Sequence, residues 1–288
     1  MQMMKLNNIL WLTTLVMCFN SCANTDNKKT AFVDQLVSQM TLDEKVGQMT
    51  QVDKRMLDSE EDIATYFLGS ILSGGGSVPD DNTTKGWVNM VNRYQTQALS
   101  TRLKIPLIYG IDAVHGHSNV VGATIFPQNI GLGCANDPEL IYKINQATAV
   151  EVAATGLHWT FSPCITVPKD DRWGRQYEGF SESTSLVTRL THAAITGYED
   201  KLAKVNGRKI AACAKHFIGD GGTSWETGTL QEGMHTYKID RGNTDITEEE
   251  LRKVHLPPYL EAINAGVKTI MISFNSWNGI KCHGSKYL

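Results

Sequence analysis

Short apolar segments alternate with amphipathic segments along this 288-residue chain, and this alternation restricts the fold more than any other feature. The apolar segments have the length of β-strands and carry apolar residues on both faces. Strands of that kind lie in parallel sheets that are covered by helices. The sequence therefore predicts the α/β class. The predicted strands cover residues 68–72, 105–111, 158–161, 209–214 and 269–273, and the predicted helices cover 41–49, 85–100, 137–154, 182–198 and 247–265.

The ends of the predicted strands favour a barrel over an open sheet. Polar residues follow three strands: Asp112, the pair Lys215 and His216, and Asn275. The active sites of (β/α) barrels are assembled from the carboxyl ends of many strands. No Gly-x-Gly-x-x-Gly motif follows the first strand, which argues against a dinucleotide-binding sheet. We predict a (β/α)8 TIM-like barrel that is incomplete at its C-terminus, because fewer than eight strands are recognisable.

The N-terminal segment has the features of an export signal. Lys5 precedes an apolar stretch over residues 9–19, which is too short to span a bilayer with certainty. Cys22 follows a small residue and precedes a polar stretch, as in bacterial lipoprotein signals, so lipidation of Cys22 is expected; an ordinary signal peptide cleaved nearby is the alternative. The predicted location is the periplasm or outer membrane of a Gram-negative bacterium. The predicted divisions are residues 1–22 (signal), 23–34 (tether) and 35–288 (partial barrel domain).

Charge and cysteine spacing exclude several classes of partner. The net charge is −3 and no basic stretch occurs, so nucleic acid is not an expected partner. Membrane contact is expected only through the lipid anchor. The four cysteines after the signal match no zinc motif, and Cys164 and Cys213 lie in apolar segments that predict buried thiols. We predict neither a cofactor nor a metal.

Asp112 is the first candidate for a binding residue. It directly follows a strand that is apolar on both faces, so its carboxylate lies at the edge of the core and needs hydrogen-bond partners. An ionised carboxylate accepts from two hydroxyl groups of a sugar at once. A capping role in the following loop is the alternative. His115 and His117 lack a third ligand at metal-site spacing and are expected to be structural.

Residues 170–178 combine two arginines, three acids and two aromatic residues around one glycine. We interpret them as a polar loop packed around a ligand, with Arg175 as a binding residue; an internal ion-pair network is the alternative. Lys215 and His216 are adjacent, and a regular strand would point them to opposite faces. If both contact one ligand, the alternation must be broken there, so we predict a local distortion such as a non-proline cis peptide.

Five motifs together resemble glycoside hydrolase family 3, especially its β-glucosidase and exo-1,3/1,4-β-glucanase members. The resemblance extends from about residue 35 to the end of the chain. It implies that Asp112, Arg175, Lys215 and His216 bind the non-reducing sugar of a β-linked gluco-oligosaccharide, with Phe274 and Trp277 contributing aromatic contacts. The motifs are Met40-Thr41-Leu42-Asp43-Glu44-Lys45, Gly110-Ile111-Asp112-Ala113-Val114-His115-Gly116, Arg172-Trp173-Gly174-Arg175, Lys215-His216-Phe217 and Ile272-Ser273-Phe274-Asn275-Ser276-Trp277-Asn278-Gly279.

The resemblance also implies what is absent. Family members are retaining enzymes whose nucleophile is the Asp of a Ser-Asp-Trp motif, and here no Asp is followed by Trp. The nucleophile is expected beyond Leu288 and the general acid in a further domain, so we predict that residues 23–288 alone are inactive. Phe274 replaces a tyrosine found in many members. Glu226 and Glu232 both fall where some members place an assisting acid.

Three interpretations remain at this stage. The first is part of an exo-acting β-glucosidase that releases glucose from the non-reducing end. The second is a short protein that binds sugar and catalyses nothing. The third, a dehydrogenase-type α/β protein, lacks the phosphate-binding loop that it would need.

Overall fold

The computed structural model describes residues 28–288, so the predicted signal peptide and Cys22 lie outside the described residues. Residues 28–34 of the predicted tether belong to a helix. The helices are α1 (28–39), α2 (Leu42–Gln48), α3 (Asp62–Thr65), α4 (Thr84–Ser100), α5 (Asn129–Ala135), α6 (Pro138–Ala154), α7 (Thr184–Tyr198), α8 (Glu248–Glu250) and α9 (Pro257–Asn264). The strands are β1 (Gln51–Asp53), β2 (Ser70–Ser73), β3 (Ile108–Ile111), β4 (Trp159–Thr160), β5 (Cys213–Phe217), β6 (Gln231–Glu232), β7 (His235–Thr236), β8 (Asn243–Thr244), β9 (Thr269–Ile272), β10 (Ser276–Trp277) and β11 (Ile280–Lys281).

Parallel strands lie side by side in the order in which the chain visits them. The strands β1, β2, β3 and β4 form one parallel sheet, and β5 pairs in parallel with β9. Parallel bridges from Trp159 to Ala211 and from Cys164 to Lys215 connect the two groups. Sequential parallel order brings the carboxyl ends of these strands to one side, as in TIM-barrel-like proteins. The predicted α/β class is confirmed.

Helices cover the outer face of the strands. The helix α7 packs against both α6 and α9, and Ile141, Leu190 and Ile195 are fully buried among them. Thr41 begins α2 with a capping box: its side chain accepts from the backbone N–H of Glu44, whose side chain accepts from the backbone N–H of Thr41. The buried residues of α6, α7 and α9 form part of the core, whereas Leu42 and Val46 of α2 are exposed.

The predicted strand over residues 209–214 was placed too early. The structure has β5 over Cys213–Phe217, so Lys215 and His216 lie within the strand and not after it. The prediction ended the strand at the first charged residue. Both side chains are buried, and each finds a polar partner, which is why the strand tolerates them.

The predicted helix over residues 247–265 is divided. A π-helical segment, Leu251–His255, separates α8 from α9. Pro257 and Pro258 follow, and proline has no N–H to continue the hydrogen bonds of a preceding helix, so a new helix begins at Pro257. Asn278 and Gly279 both have positive φ and connect β10 to β11 as a two-residue hairpin.

Two buried histidines make stability sensitive to mild acid. His117 and His255 are almost fully buried, and burial lowers the pKa of each to about 4. Thr155 donates its hydroxyl to the Val152 carbonyl, so it accepts from Nε2 of His117, and Nδ1 of that ring has no partner in the described residues. The native state therefore holds both rings neutral.

We expect the free energy of unfolding to fall between pH 6.5 and pH 4. In this window the unfolded chain protonates both histidines and the native state does not, so stability is constant above pH 6.5 and lost as the pH falls towards 4. The loss is on the order of 3 kcal/mol per histidine. Urea unfolding across this range measures it, and a His117→Leu variant should show a smaller fall than the parent chain. An equal fall in the variant would contradict the assignment.

Candidate active site

A polar pocket of about 320 Å³ opens at the carboxyl ends of the parallel strands. Its floor carries Asp112, directly after β3, and Lys215, within β5. Its walls come from the loop after β2 and from the segment that contains Arg175. The lining residues are Gly75, Asp112, Val114, His115, Ser118, Asn119, Gln128, Arg175, Tyr177, Glu178 and Lys215.

Asp112 and Lys215 form an ion pair across the floor of the pocket. Lys215 donates from Nζ to Oδ1 of Asp112 over 2.7 Å. The lysine side chain is 4% exposed and the aspartate side chain 42% exposed. Burial acts to lower the pKa of Lys215, but the charges of Asp112 and Glu178 outweigh it and raise that pKa above the usual value. Lys215 is thus a fixed cation that orients a carboxylate open to a ligand.

Arg175 lies beside this pair and is held by Glu178. Its Nε and Nη2 donate to the two carboxylate oxygens over 2.7 and 2.8 Å, and Nη2 also lies 2.9 Å from Nε2 of His216. Burial acts to raise the pKa of Glu178 and to lower that of Arg175. Their mutual hydrogen bonds outweigh burial in both cases, so Glu178 is ionised and Arg175 charged. Among residues 28–288, no group bonds Nη1 of Arg175.

The peptide bond between Lys215 and His216 is cis, which confirms the predicted distortion. Lys215 contacts Asp112, and His216 contacts Arg175 in the same site. The structure therefore brings together four of the predicted binding residues, Asp112, Arg175, Lys215 and His216.

The helix α5 supports the segment that carries Arg175. The side chain of Asn129 donates to the carbonyl of Glu178 over 2.7 Å. Gly133 faces the carbonyl of Phe180 so closely that a Cβ atom would lie 1.7 Å from it. The wall of the pocket thus depends on a residue with no side chain in a neighbouring helix.

The loop after β2 is clamped from two sides. Asp53 accepts from the backbone N–H of Gly74 and the hydroxyl of Ser77. Asn119 accepts from the N–H of Gly76 and donates to the Asp112 carbonyl. Sequence analysis assigned no role to Asp53, Asn119 or Glu178. Of these three residues, only Glu178 could have been found from the sequence, because it is one of the acids in the charged segment 170–178.

Phe274 and Trp277 do not line this pocket. Phe274 is 62% exposed, with the Arg241 guanidinium 5.3 Å from its ring centre. Trp277 donates to the Ile246 carbonyl. Glu226 and Glu232 are exposed and also lie outside the lining. Roles for these four residues in binding or catalysis stay predictions.

His115 borders the pocket as a structural residue. Its Nδ1 lies 2.8 Å from the Phe126 carbonyl, so this nitrogen donates, and Nε2 lies 3.1 Å from the amide nitrogen of Gln128.

Across residues 28–288, no three His, Cys, Asp or Glu side chains are grouped so that they could hold a metal ion. The predicted burial of Cys164 and Cys213 is confirmed, and both thiols are free. No helix in the described range is long and apolar enough to cross a membrane.

Sequential parallel strands, with two carboxylates and two cations lining a polar pocket at their carboxyl ends, define an α/β protein whose candidate site has the position usual for (β/α) barrels. Residues 41–288 match the family model described as "Glycosyl hydrolase family 3 N terminal domain". The chain therefore belongs to glycosyl hydrolase family 3, as the sequence motifs predicted.

Individual relatives agree with this assignment. The lysosomal β-glucosidase of Dictyostelium discoideum is 34% identical over 92% of this chain and 34% of its own length. The periplasmic β-glucosidase of Salmonella typhimurium is 29% identical over 92% of this chain and 31% of its own length. The crystal structure of an exo-1,3/1,4-β-glucanase from a Pseudoalteromonas species matches with a TM-score of 0.80 and 43% identity, over 90% of this chain and 32% of that one. The chain thus spans about a third of the length of these relatives.

Proposed function

We propose that this chain supplies the sugar-binding part of the active site of an exo-acting β-glucosidase that works with retention of configuration. The observation that carries the proposal is the half-exposed carboxylate of Asp112, oriented by a buried lysine at the floor of a polar pocket. A β-linked gluco-oligosaccharide is the proposed substrate, with non-reducing glucose as the unit released.

Each pocket residue has a defined role in this proposal. Oδ2 of Asp112, which no group among residues 28–288 bonds, accepts a sugar hydroxyl, and Oδ1 shares a second one with Lys215. Arg175 donates from Nη1 to a neighbouring hydroxyl. These contacts are remote from the bond that breaks, so they orient the ring and help to distort it towards an oxocarbenium-like transition state. In a retaining enzyme two carboxylates, about 5–5.5 Å apart, then act as nucleophile and as acid and base.

We expect the 288-residue chain to bind glucose without hydrolysing an aryl β-glucoside. The pocket residues are present, while no Ser-Asp-Trp motif occurs in the sequence. Titration calorimetry with glucose and release of a chromogenic phenol measure the two properties. Failure to bind glucose would contradict the role of the pocket. Turnover that disappears in the Asp112→Ala variant would contradict the expected position of the nucleophile.

We further propose that the protein is exported and lipidated at Cys22. The signal-like segment supports this, as does the relative from Salmonella typhimurium, which is described as periplasmic. Expressed in a Gram-negative host with labelled palmitate, the chain is expected to incorporate the label, and a Cys22→Ser variant is expected to lose it. Equal labelling of both would refute the assignment.

A further inference from the structure

We propose that Asp220 is a positioning residue that makes Nε2 of His216 a hydrogen-bond acceptor and thereby fixes Arg175 for sugar binding. This inference rests on the proposed function of the pocket. Asp220 does not line the pocket, and the sequence motifs assign it no role.

The first step is the contact between Asp220 and His216. Oδ2 of Asp220 lies 2.8 Å from Nδ1 of His216, and both side chains are buried. The other carboxylate oxygen accepts from the hydroxyl of Thr166. An ionised carboxylate only accepts, so Nδ1 of His216 must carry a proton. Burial acts to raise the pKa of Asp220, but His216 and Thr166 outweigh it and lower that pKa.

The second step is the contact between His216 and Arg175. The guanidinium is always charged and only donates, so Nε2 of His216, 2.9 Å from Nη2 of Arg175, must be unprotonated. His216 is therefore the neutral tautomer with its proton on Nδ1. Burial lowers the pKa of His216, which agrees with a neutral ring.

The third step is what this arrangement does to Arg175. Glu178 holds the guanidinium from one side, and the lone pair of His216 holds it from another. Without Asp220 the proton of His216 is free to move to Nε2, where it would meet an N–H of Arg175 donor to donor. The guanidinium would then turn away and lose its fixed position in the wall of the pocket.

Other charges around His216 do not replace Asp220. Arg175 and Lys215 act to lower the pKa of His216, and Asp220 acts to raise it. Glu178 also lies in this cluster but is occupied by Arg175. His255, which also feels the charge of Asp220, belongs to the π-helical segment and is neutral because burial lowers its pKa. Asp220 is thus the acceptor that selects the tautomer.

Long-range ¹H–¹⁵N correlation spectra of the histidine rings test the proposal directly. The signal of His216, assigned by its loss in a His216→Gln variant, is expected to show protonation on Nδ1 at pH 7. In Asp220→Ala we expect a shift to the tautomer protonated on Nε2, together with about a tenfold loss of glucose affinity, the equivalent of one hydrogen bond to a charged group. Asp220→Asn retains an acceptor oxygen and is expected to restore both.

Thr166→Val is the matched control, because it removes the other hydrogen bond of Asp220 without touching His216. We expect it to leave the tautomer and the affinity unchanged. If Asp220→Ala does not fold, Asp220→Leu, which is close to aspartate in shape and has no acceptor, replaces it. A parent chain protonated on Nε2, or an unchanged tautomer in the alanine or leucine variant, overturns the proposal. Absence of glucose binding by the parent chain would refute the proposed function and leave the tautomer result intact.

Discussion

Replacing Asp112 with alanine is expected to abolish measurable glucose binding. The variant removes the carboxylate at the floor of the pocket, which in the proposed function accepts two sugar hydroxyls. A hydrogen bond to a charged group contributes about 1.5–3 kcal/mol, so two of them correspond to a loss of at least about a hundredfold in affinity. Titration calorimetry measures this loss. Glu139→Gln, which removes a surface carboxylate paired with Lys143, is the control and should bind normally.

The same substitution leaves the buried ammonium group of Lys215 without its partner, so its effect on stability must be separated from its effect on binding. Lys215 loses the carboxylate that balances its charge, and we expect a cost of about 1–3 kcal/mol in the free energy of unfolding. The double variant Asp112→Ala with Lys215→Met removes both charges. It should regain stability and still fail to bind glucose. Binding by either variant at the affinity of the parent chain would show that Asp112 does not contact the sugar.

The second large effect is expected from Gly133→Ala in α5. The added Cβ atom would lie 1.7 Å from the backbone carbonyl of Phe180, so the helix or the facing segment must move. That segment carries Glu178, whose carbonyl is bonded to Asn129 in the same helix. Overpacking typically costs about 1–3 kcal/mol, and a contact with backbone, which cannot rotate away, belongs at the upper end of that range. We expect lower stability in urea unfolding and weaker glucose binding, because the hold of Glu178 on Arg175 is displaced.

Gly131→Ala provides a control in the same helix. Its added Cβ atom would meet only Pro127, at an ordinary distance of 3.6 Å. Alanine is favoured over glycine inside a helix by up to about 1 kcal/mol, so this variant should be as stable as the parent chain or more so. If both alanine variants behave alike, α5 does not position the wall of the pocket.

The sequence was sufficient to predict the α/β class and to select four residues that the structure brings together in the candidate site. Strands that are apolar on both faces belong to covered parallel sheets. Asp112 ends such a strand, and a carboxylate at the edge of the core requires hydrogen-bond partners, which indicated a binding site. The same logic failed at β5, where Lys215 and His216 ended the predicted strand although both lie inside it. Their burial depends on partners elsewhere in the chain, which a local pattern cannot contain.

Residues that act through another residue were the hardest to predict. Asn119 and Asp53 hold a loop by contacts to residues over 20 positions away. Solvent exposure was also difficult to predict after β9, where the aromatic side chain of Phe274 is exposed and the polar side chain of Asn275 is buried. The buried amide of Asn275 donates to the Ile218 carbonyl and the Thr244 hydroxyl, and this pairing depends on tertiary structure.

The ion pair on the pocket floor joins residues 103 positions apart in the chain. No partly folded state that lacks either β3 or β5 can form it, so the proposed sugar site is incomplete until both strands are in place. Ligand binding should therefore stabilise the whole molecule, by about 2.7 kcal/mol at a concentration one hundred times the dissociation constant. Amide hydrogen exchange in β3 and β5 should slow together and by the same factor, so that two distant parts of the chain report a single cooperative unit.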